Sequence, residues 1–481
     1  RVGRGVLVAL ARLWAFLAVG LPVLASMIAN LSSVDLAYHL RAGGLTLDTG
    51  SIPMSDTFTF TAAGSPWLNQ QWGAQVLLAG VYRLASWTGL VVLRAALVGL
   101  IFGLLFEACR RRGLDLRRAA WLTIAAFIVS AVALALRPQL FGMALLALTL
   151  LLVADRRAHP RRLWAVPLIV LVWANLHGSF FLGPVVLGLA WLGDVHDRVP
   201  NRHRLIVLAA LSAAAALVNP FGPGVWAYAA GLSTNPFVTS RIAEWQPTTV
   251  RTIPGILFFG SLALVVVFLA RRARPAPWPT LVWLAVFAAI GMYAIRGVAW
   301  WPLGAVVALA GWLVSGDGRT KARPERSSRI NLVVAGLIAA LSLVLLPVWR
   351  PVDPRLGAPV GVVGDAPPGI TAWLREHTPP GSRILNPQPW GSWFELALPD
   401  HPIAIDSRIE LFAVEVWDDL DRVRTGGDGW LDSLTRWQVA VVVVEKGETA
   451  FADRLATAGW TKSYEDADGA IYVAPIWTGR S

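Results

Sequence analysis

The stretch VLVALARLWAFLAVGLPVLASMIANLSSVDLAYHLRAGG, residues 6–44, sets an apolar run over 6–29 against a polar segment that carries Asp35, His39 and Arg41. A run of that length can cross the ~30 Å hydrocarbon core of a bilayer as one helix. The segment after it, Ser32 to Gly44, reads as a second helix start, with serine at the cap and an acid in the first turn. Asp35 and His39 then lie one turn apart on one helix face.

Working outward, further apolar runs fall at 90–108, 118–136, 140–154, 163–176, 179–193, 204–218, 254–270, 278–295, 298–315 and 330–348. The chain is 56% hydrophobic and only 15% charged, against about a quarter charged in soluble proteins. A mainly α, polytopic membrane protein follows. The net charge of +12 does not point to nucleic acid, because the cations sit in short clusters between apolar runs. RRRGLDLRR (110–118), DRRAHPRR (155–162), HDRVPNRHR (196–204), RRARP (271–275) and GRTKARPERSSR (318–329) are spaced two crossings apart. Positive-inside bias puts them all on the cytoplasmic face, together with Arg1, Arg4 and Arg12. The expectation is about eleven transmembrane helices, a retained N-terminal anchor with no clear cleavage site, the N-terminus cytoplasmic and the C-terminus outside. Residues 73–88 contain Arg83 and would break this parity as a crossing, so they read as a helix in the interface. The single cysteine, Cys109, excludes a disulfide framework.

This topology gathers Asp35, His39, Arg137, Gln139, His177, Asn219, Glu244 and Arg296 on the outer face. Arg137 and Arg296 stand in short outer loops against the positive-inside bias, which points to an anionic partner. Snorkelling or capping of a helix C-terminus accounts for either one alone. From about residue 350 the hydropathy changes. A Pro/Gly-rich linker over 350–366 leads into a small outer α/β domain over 367–481, leaving 1–349 as the membrane domain with a long first outer loop over 31–89. Within the outer domain DSRIELF (406–412) places Asp406, Arg408 and Glu410 after a strand end, either as a functional loop or as an ion-pair cluster. TGGDGW (425–430) lacks the lysine and preceding strand of a phosphate loop.

The segment VDLAYHLRAGGLTLDTGSIPMSDTFTFTAAGSPWLNQQWGAQVLLAGVYRL (34–84), with the eleven-crossing plan and outer C-terminal domain, resembles the GT-C superfamily of integral-membrane glycosyltransferases. Bacterial members related to the dolichyl-phosphate-mannose and lipid A aminoarabinose types are the most similar. The acidic pair of eukaryotic protein mannosyltransferases is absent, since Leu36 follows Asp35. The resemblance implies hexosyl or pentosyl transfer with inversion, from a polyprenyl-phosphate carrier to a lipid, polysaccharide or protein acceptor outside a bacterial plasma membrane. Asp35 suits the base that deprotonates the acceptor, with Glu244 as a second acid orienting it. Arg137 and Arg296, with Arg41 behind them, suit the carrier phosphate. Asp56, Gln71, His39 and His177 are further candidates for contacts with substrate. A divalent cation held by Asp35 and His39, which Glu244 could share instead of orienting the acceptor, is the one cofactor considered. A helix cap explains Asp35 alone equally well; its grouping with Arg137, Glu244 and Arg296 favours function. The alternative, a saccharide or lipid flippase, calls for broken helices, internal repeats and mid-membrane charges, and none is evident.

Overall fold

The computed structural model describes residues 8–316 and 327–475; Arg1, Arg4 and most of the basic stretch 318–329 lie outside the described residues. The structure is mainly helical and divides into two compact units. One is built from the chain up to Ala29 and from Val91–Leu346; the other from Asn30–Leu90 and from Pro347 onward. The first outer loop, expected to belong with the membrane helices, instead packs with the C-terminal residues.

Among the described residues, six helical spans reach the length and apolarity needed to cross a membrane: Leu10–Ile28, Trp72–Arg111, Leu116–Ala133, Gly178–His196, Ile253–Ala270 and Ile295–Val314; all belong to the first unit except residues 72–90 of Trp72–Arg111, which belong to the second. Four more apolar helices, Pro138–Ala154, His203–Ala215, Trp278–Tyr293 and Arg329–Val344, are shorter. At 1.5 Å per residue they span about 20–26 Å, less than the hydrocarbon thickness. Length and composition therefore identify six candidate crossings among the described residues, and the eleven counted from hydropathy include the shorter apolar helices. Trp72–Arg111 consists of two helices that meet at a break at Ala85 (φ −143°, ψ 16°) and Ser86 (φ 51°, ψ −152°), close to the boundary expected between the interfacial helix over 73–88 and the crossing over 90–108.

Burial within the first unit suits lipid rather than water. Pro138–Ala154 is buried over most of its length, whereas Ile253–Ala270 buries only Gly255 and Phe258. An apolar helix exposed on nearly every side is stable only where the solvent is itself apolar. One end of the bundle is closed by ion pairs. Arg111, His159 and Arg162 meet Asp155 at 3.5, 2.7 and 3.0 Å, and the buried Arg156 meets Asp194 at 2.7 Å. With Arg157 meeting Asp197 at 2.6 Å, these pairs join three of the basic connections read from the sequence. Arg137 begins the same helix that Asp155 ends, so the two lie about 25 Å apart along its axis.

In the second unit, a four-stranded sheet runs in the order Arg383–Leu385, Val439–Glu445, Gly469–Val473, Thr461–Glu465, with the first pair parallel and the others antiparallel. Val439–Glu445, sequence VAVVVVE, is the inner strand, and its continuous apolar run fits burial on both faces. The first outer loop adds to the edge of this sheet. Ile403 bridges both Ile384 and Thr59, and Phe60 N–H donates to the Ile403 carbonyl at 2.9 Å. The helix Ser33–Thr49 packs on the helix Gln388–Ala397. Its start is not serine-capped as expected. Ser32 makes no side-chain cap, while Leu31 and Ser32 pair with Val363 and Gly364 and the Ser33 hydroxyl donates to the Asp365 carbonyl at 2.9 Å. The expected linker over 350–366 is thus tied into the unit. The glycines of TGGDGW serve turns: Gly426 ends the helix Val414–Thr425 in the left-handed region.

Ser33–Thr49 also packs tightly against the start of Trp72–Arg111, because Gly43 has no side chain. A Cβ at Gly43 would lie 2.0 Å from the Gln75 carbonyl oxygen, whereas one at Gly80 would meet nothing within 4 Å. Gly43→Ala is expected to lower stability by about 1–3 kcal/mol through overpacking. Gly80→Ala should be neutral or raise it by up to ~1 kcal/mol. Thermal unfolding of the detergent-solubilised protein compares the two.

Candidate functional site

Three of the residues singled out from the sequence meet in the first unit. Arg137 Nη1 lies 2.6 Å from Glu244 Oε1, and Arg296 Nη2 lies 3.3 Å from Glu244 Oε2. One carboxylate therefore holds two guanidinium groups drawn from three chain segments. Arg137 immediately precedes the helix Pro138–Ala154, Glu244 lies in the short turn Ala243–Trp245, and Arg296 in the turn Ile295–Ala299. The two turns are fastened by Ile295 N–H donating to the Gln246 carbonyl at 3.0 Å, and Gln139 Nε2 donates to the Arg296 carbonyl at 3.4 Å. The Arg296 guanidinium also stacks 4.4 Å from the centroid of the Trp245 ring. The side chains of the group are 25–39% exposed, so a ligand can reach it. Fixed, partly dehydrated guanidinium groups are suited to a phosphate or another compact anion.

His177 lies in the same unit but is committed locally. Its Nδ1 accepts from the Ser179 N–H at 3.1 Å and lies 2.7 Å from Ser179 Oγ, which in turn accepts from Trp173 Nε1 at 3.1 Å. This network leaves the proton on Nε2 and makes His177 a cap for the turn Gly178–Phe181.

The remaining candidates belong to the second unit. Asp35 is half-buried in the first turn of Ser33–Thr49, where the helix N-terminus favours its negative charge. His39 is buried and packs against the Tyr38 ring at 4.0 Å between centroids. No group of three His, Cys, Asp or Glu side chains is placed to hold a metal ion among the described residues. Gln71 is half-buried just before Trp72–Arg111, its carbonyl accepting from Gln75 N–H at 3.1 Å. Arg41 lines a polar cavity of about 100 Å³ with Thr57, Glu395, Asp400 and His401.

Asp56, expected to meet sugar hydroxyls, is instead buried in an ion-pair cluster centred on Arg408. It accepts from Thr59 Oγ1 at 2.6 Å, from Thr59 N–H at 3.0 Å and from Arg408 Nη2 at 2.7 Å. Arg408 also meets Asp406 and Glu395 and lies over the Trp67, Phe58 and Tyr38 rings at 4.5, 4.9 and 5.8 Å. One guanidinium cannot balance three buried carboxylates, so one of them keeps its proton. Burial and the field of Asp406 push the Glu395 carboxyl well above its ordinary range, and it hydrogen-bonds with Asp406. Burial also opposes the Asp406 charge, but Arg408 and these hydrogen bonds override it and hold Asp406 below its usual value. Burial disfavours the Arg408 charge in the same way, and the carboxylates reverse the effect. Of the two readings of DSRIELF, the ion-pair cluster is the one Asp406 and Arg408 fulfil.

No protein-family model matches this chain, and neither does any curated protein. Solved structures do. The chain superposes on the oligosaccharyltransferase of Archaeoglobus fulgidus in its apo form with a TM-score of 0.53 at 14% identity, over 97% of this chain and 74% of that one. It superposes on the same organism's oligosaccharyltransferase AglB, in complex with an inhibitory peptide and a dolichol-phosphate, with a TM-score of 0.53 at 13% identity, over 90% and 69%. At such identity the likeness is one of fold.

Two variants test the Arg408 cluster. Arg408→Met leaves buried carboxylates without their cation and is expected to cost about 3–5 kcal/mol, with faster proteolysis in 50–71. Glu395 binds its proton more tightly folded than unfolded, so its contribution is full below about pH 4.5 and declines as pH rises through the raised folded value. Glu395→Gln should remove that decline. Thermal midpoints from pH 5 to 9 should fall less in Glu395→Gln than in the parent protein.

Proposed function

We propose that this protein is an integral-membrane glycosyltransferase that moves a sugar from a polyprenyl-phosphate carrier to an acceptor on the outer face of the membrane. The observation that carries the reading is the pair Arg137 and Arg296 held on Glu244. Breaking a glycosyl–phosphate bond leaves charge on the carrier phosphate, and prepositioned guanidinium groups stabilise that charge more as it develops than before. Glu244 keeps both cations oriented in the absence of substrate and limits their mutual repulsion.

Asp35 takes the proton from the acceptor hydroxyl, and attack on the anomeric carbon from the side opposite the phosphate inverts its configuration. No step requires a metal ion. The GT-C-type fold and the dolichol-phosphate in one archaeal neighbour support a lipid-phosphate donor. The peptide bound there favours a protein among the three acceptor classes. Full-length topology in this reading keeps eleven crossings, the shorter apolar helices spanning with their flanking turns, with the N-terminus cytoplasmic in a bacterial plasma membrane. The flippase alternative has no observation in its favour.

Membranes carrying the protein, supplied with radiolabelled polyprenyl-phosphate hexoses and pentoses, provide the assay. Arg137→Ala and Arg296→Ala should each lower transfer about 10²–10³-fold, the usual cost of losing one transition-state donor. Asp35→Asn should lower kcat by about 10²–10⁴-fold with little change in KM for the carrier. Full activity in Asp35→Asn would remove the base assignment. Full activity in both arginine variants would remove the phosphate site.

A further inference from the structure

We propose that the hairpin over residues 347–361 lies in the lipid headgroup region and anchors the C-terminal residues to the bilayer surface. Hydropathy reads this segment as a linker, but it is an ordered hairpin. Val352–Asp353 and Ala358–Pro359 pair antiparallel, Val360 N–H donates to the Pro351 carbonyl at 2.9 Å, and Gly357 N–H closes the turn on the Asp353 carbonyl at 2.8 Å.

What it presents outward is apolar. Val348, Trp349, Val352 and Val360 are 60%, 71%, 61% and 53% exposed. So many large apolar side chains on one short, hydrogen-bonded element mark an interaction surface rather than an ordinary water-facing turn. The hairpin's acid is neutralised internally. Arg355 meets Asp353 at 3.0 Å through Nη2, and its N–H donates to Asp353 Oδ1 at 2.9 Å. Arg350, which donates to the Val360 carbonyl at 3.4 Å, supplies a cation beside the apolar surface. An exposed tryptophan and valines next to an arginine form the composition favoured at the lipid headgroup level.

Chain continuity identifies bilayer lipid as the occupant. The hairpin follows the apolar helix Arg329–Val344 after two residues. That helix exposes Ile330, Val333, Leu337, Leu343 and Val344, as a helix surrounded by acyl chains does. The five residues from Val344 to Trp349 reach at most about 18 Å, so Trp349 cannot leave the neighbourhood of the interface where the helix ends. The apolar exposure is therefore continuous along the chain from lipid into the hairpin. This inference requires a membrane-embedded helix and is independent of the glycosyl-transfer reading.

Single-copy nanodiscs containing the full-length protein test it. Cys109 is the chain's one cysteine and is buried, so Val352→Cys and Val360→Cys can each be labelled with an environment-sensitive fluorophore. Thr457→Cys, on the exposed end of Thr449–Thr457, is the control. Labels at 352 and 360 should be quenched at least twofold more than the control by headgroup-proximal doxyl lipid, and at least twofold less by aqueous iodide. Equal iodide quenching at all three positions overturns the proposal. Shielding that occurs only when a disc holds two copies also overturns it and assigns the surface to self-association. Two independent label sites keep the result decisive if one variant fails to fold.

Discussion

Arg408 is the constraint on which the second unit depends. Its guanidinium joins Asp56 from the first outer loop to Asp406 and Glu395 from the C-terminal region, with the Trp67, Phe58 and Tyr38 rings around it. A buried ion pair is not in itself a large source of stability, because desolvation offsets most of the attraction. Its effect lies in specificity. Any arrangement that leaves these carboxylates buried without Arg408 is strongly disfavoured, so the loop over 50–71 is restricted to one seat. The edge pairing of Thr59 and Phe60 with Ile403 then follows. So does the packing of the helix that carries Asp35 against Gln388–Ala397.

The two ionic clusters show how setting separates structural from chemical roles. Around Arg408 every charge is buried, and proton uptake by Glu395 brings the cluster nearer to balance. Around Glu244 the charges are partly exposed, which gives an anionic substrate access to them. Asp56 and Glu244, both candidates on sequence grounds, fall on opposite sides of this division.

Features governed by local pattern were legible in the sequence. The membrane class followed from apolar runs. The strand Val439–Glu445 falls on WQVAVVVVEKG, and the helix Thr449–Thr457 on TAFADRLATAG. Arg137, Glu244 and Arg296 were grouped because arginines in short outer loops conflict with charge bias, and the structure brings those side chains together. Features set by long-range packing were not legible. Asp56 and Arg408 are 352 positions apart, and no spacing rule connects them. The commitment of the first outer loop to the C-terminal residues rests on that pair. His39 reads as a ligand by its i, i+4 spacing from Asp35, which says nothing of its burial. Trp245 stands beside Glu244 in the sequence, yet its place beneath Arg296 depends on two turns meeting. Hydropathy registers apolarity without showing how long each helix is, so it does not separate the six longer spans from the four shorter apolar helices.

The central claim is that Arg137 and Arg296 receive a carrier phosphate. A structure of the protein with a polyprenyl phosphate bound, in lipid nanodiscs, tests it most directly. The phosphate oxygens should lie within about 3 Å of both guanidinium groups, with Glu244 still bonded to at least one of them. A phosphate seated on other basic residues, with the Arg137–Glu244–Arg296 group unchanged and unoccupied, would contradict the account.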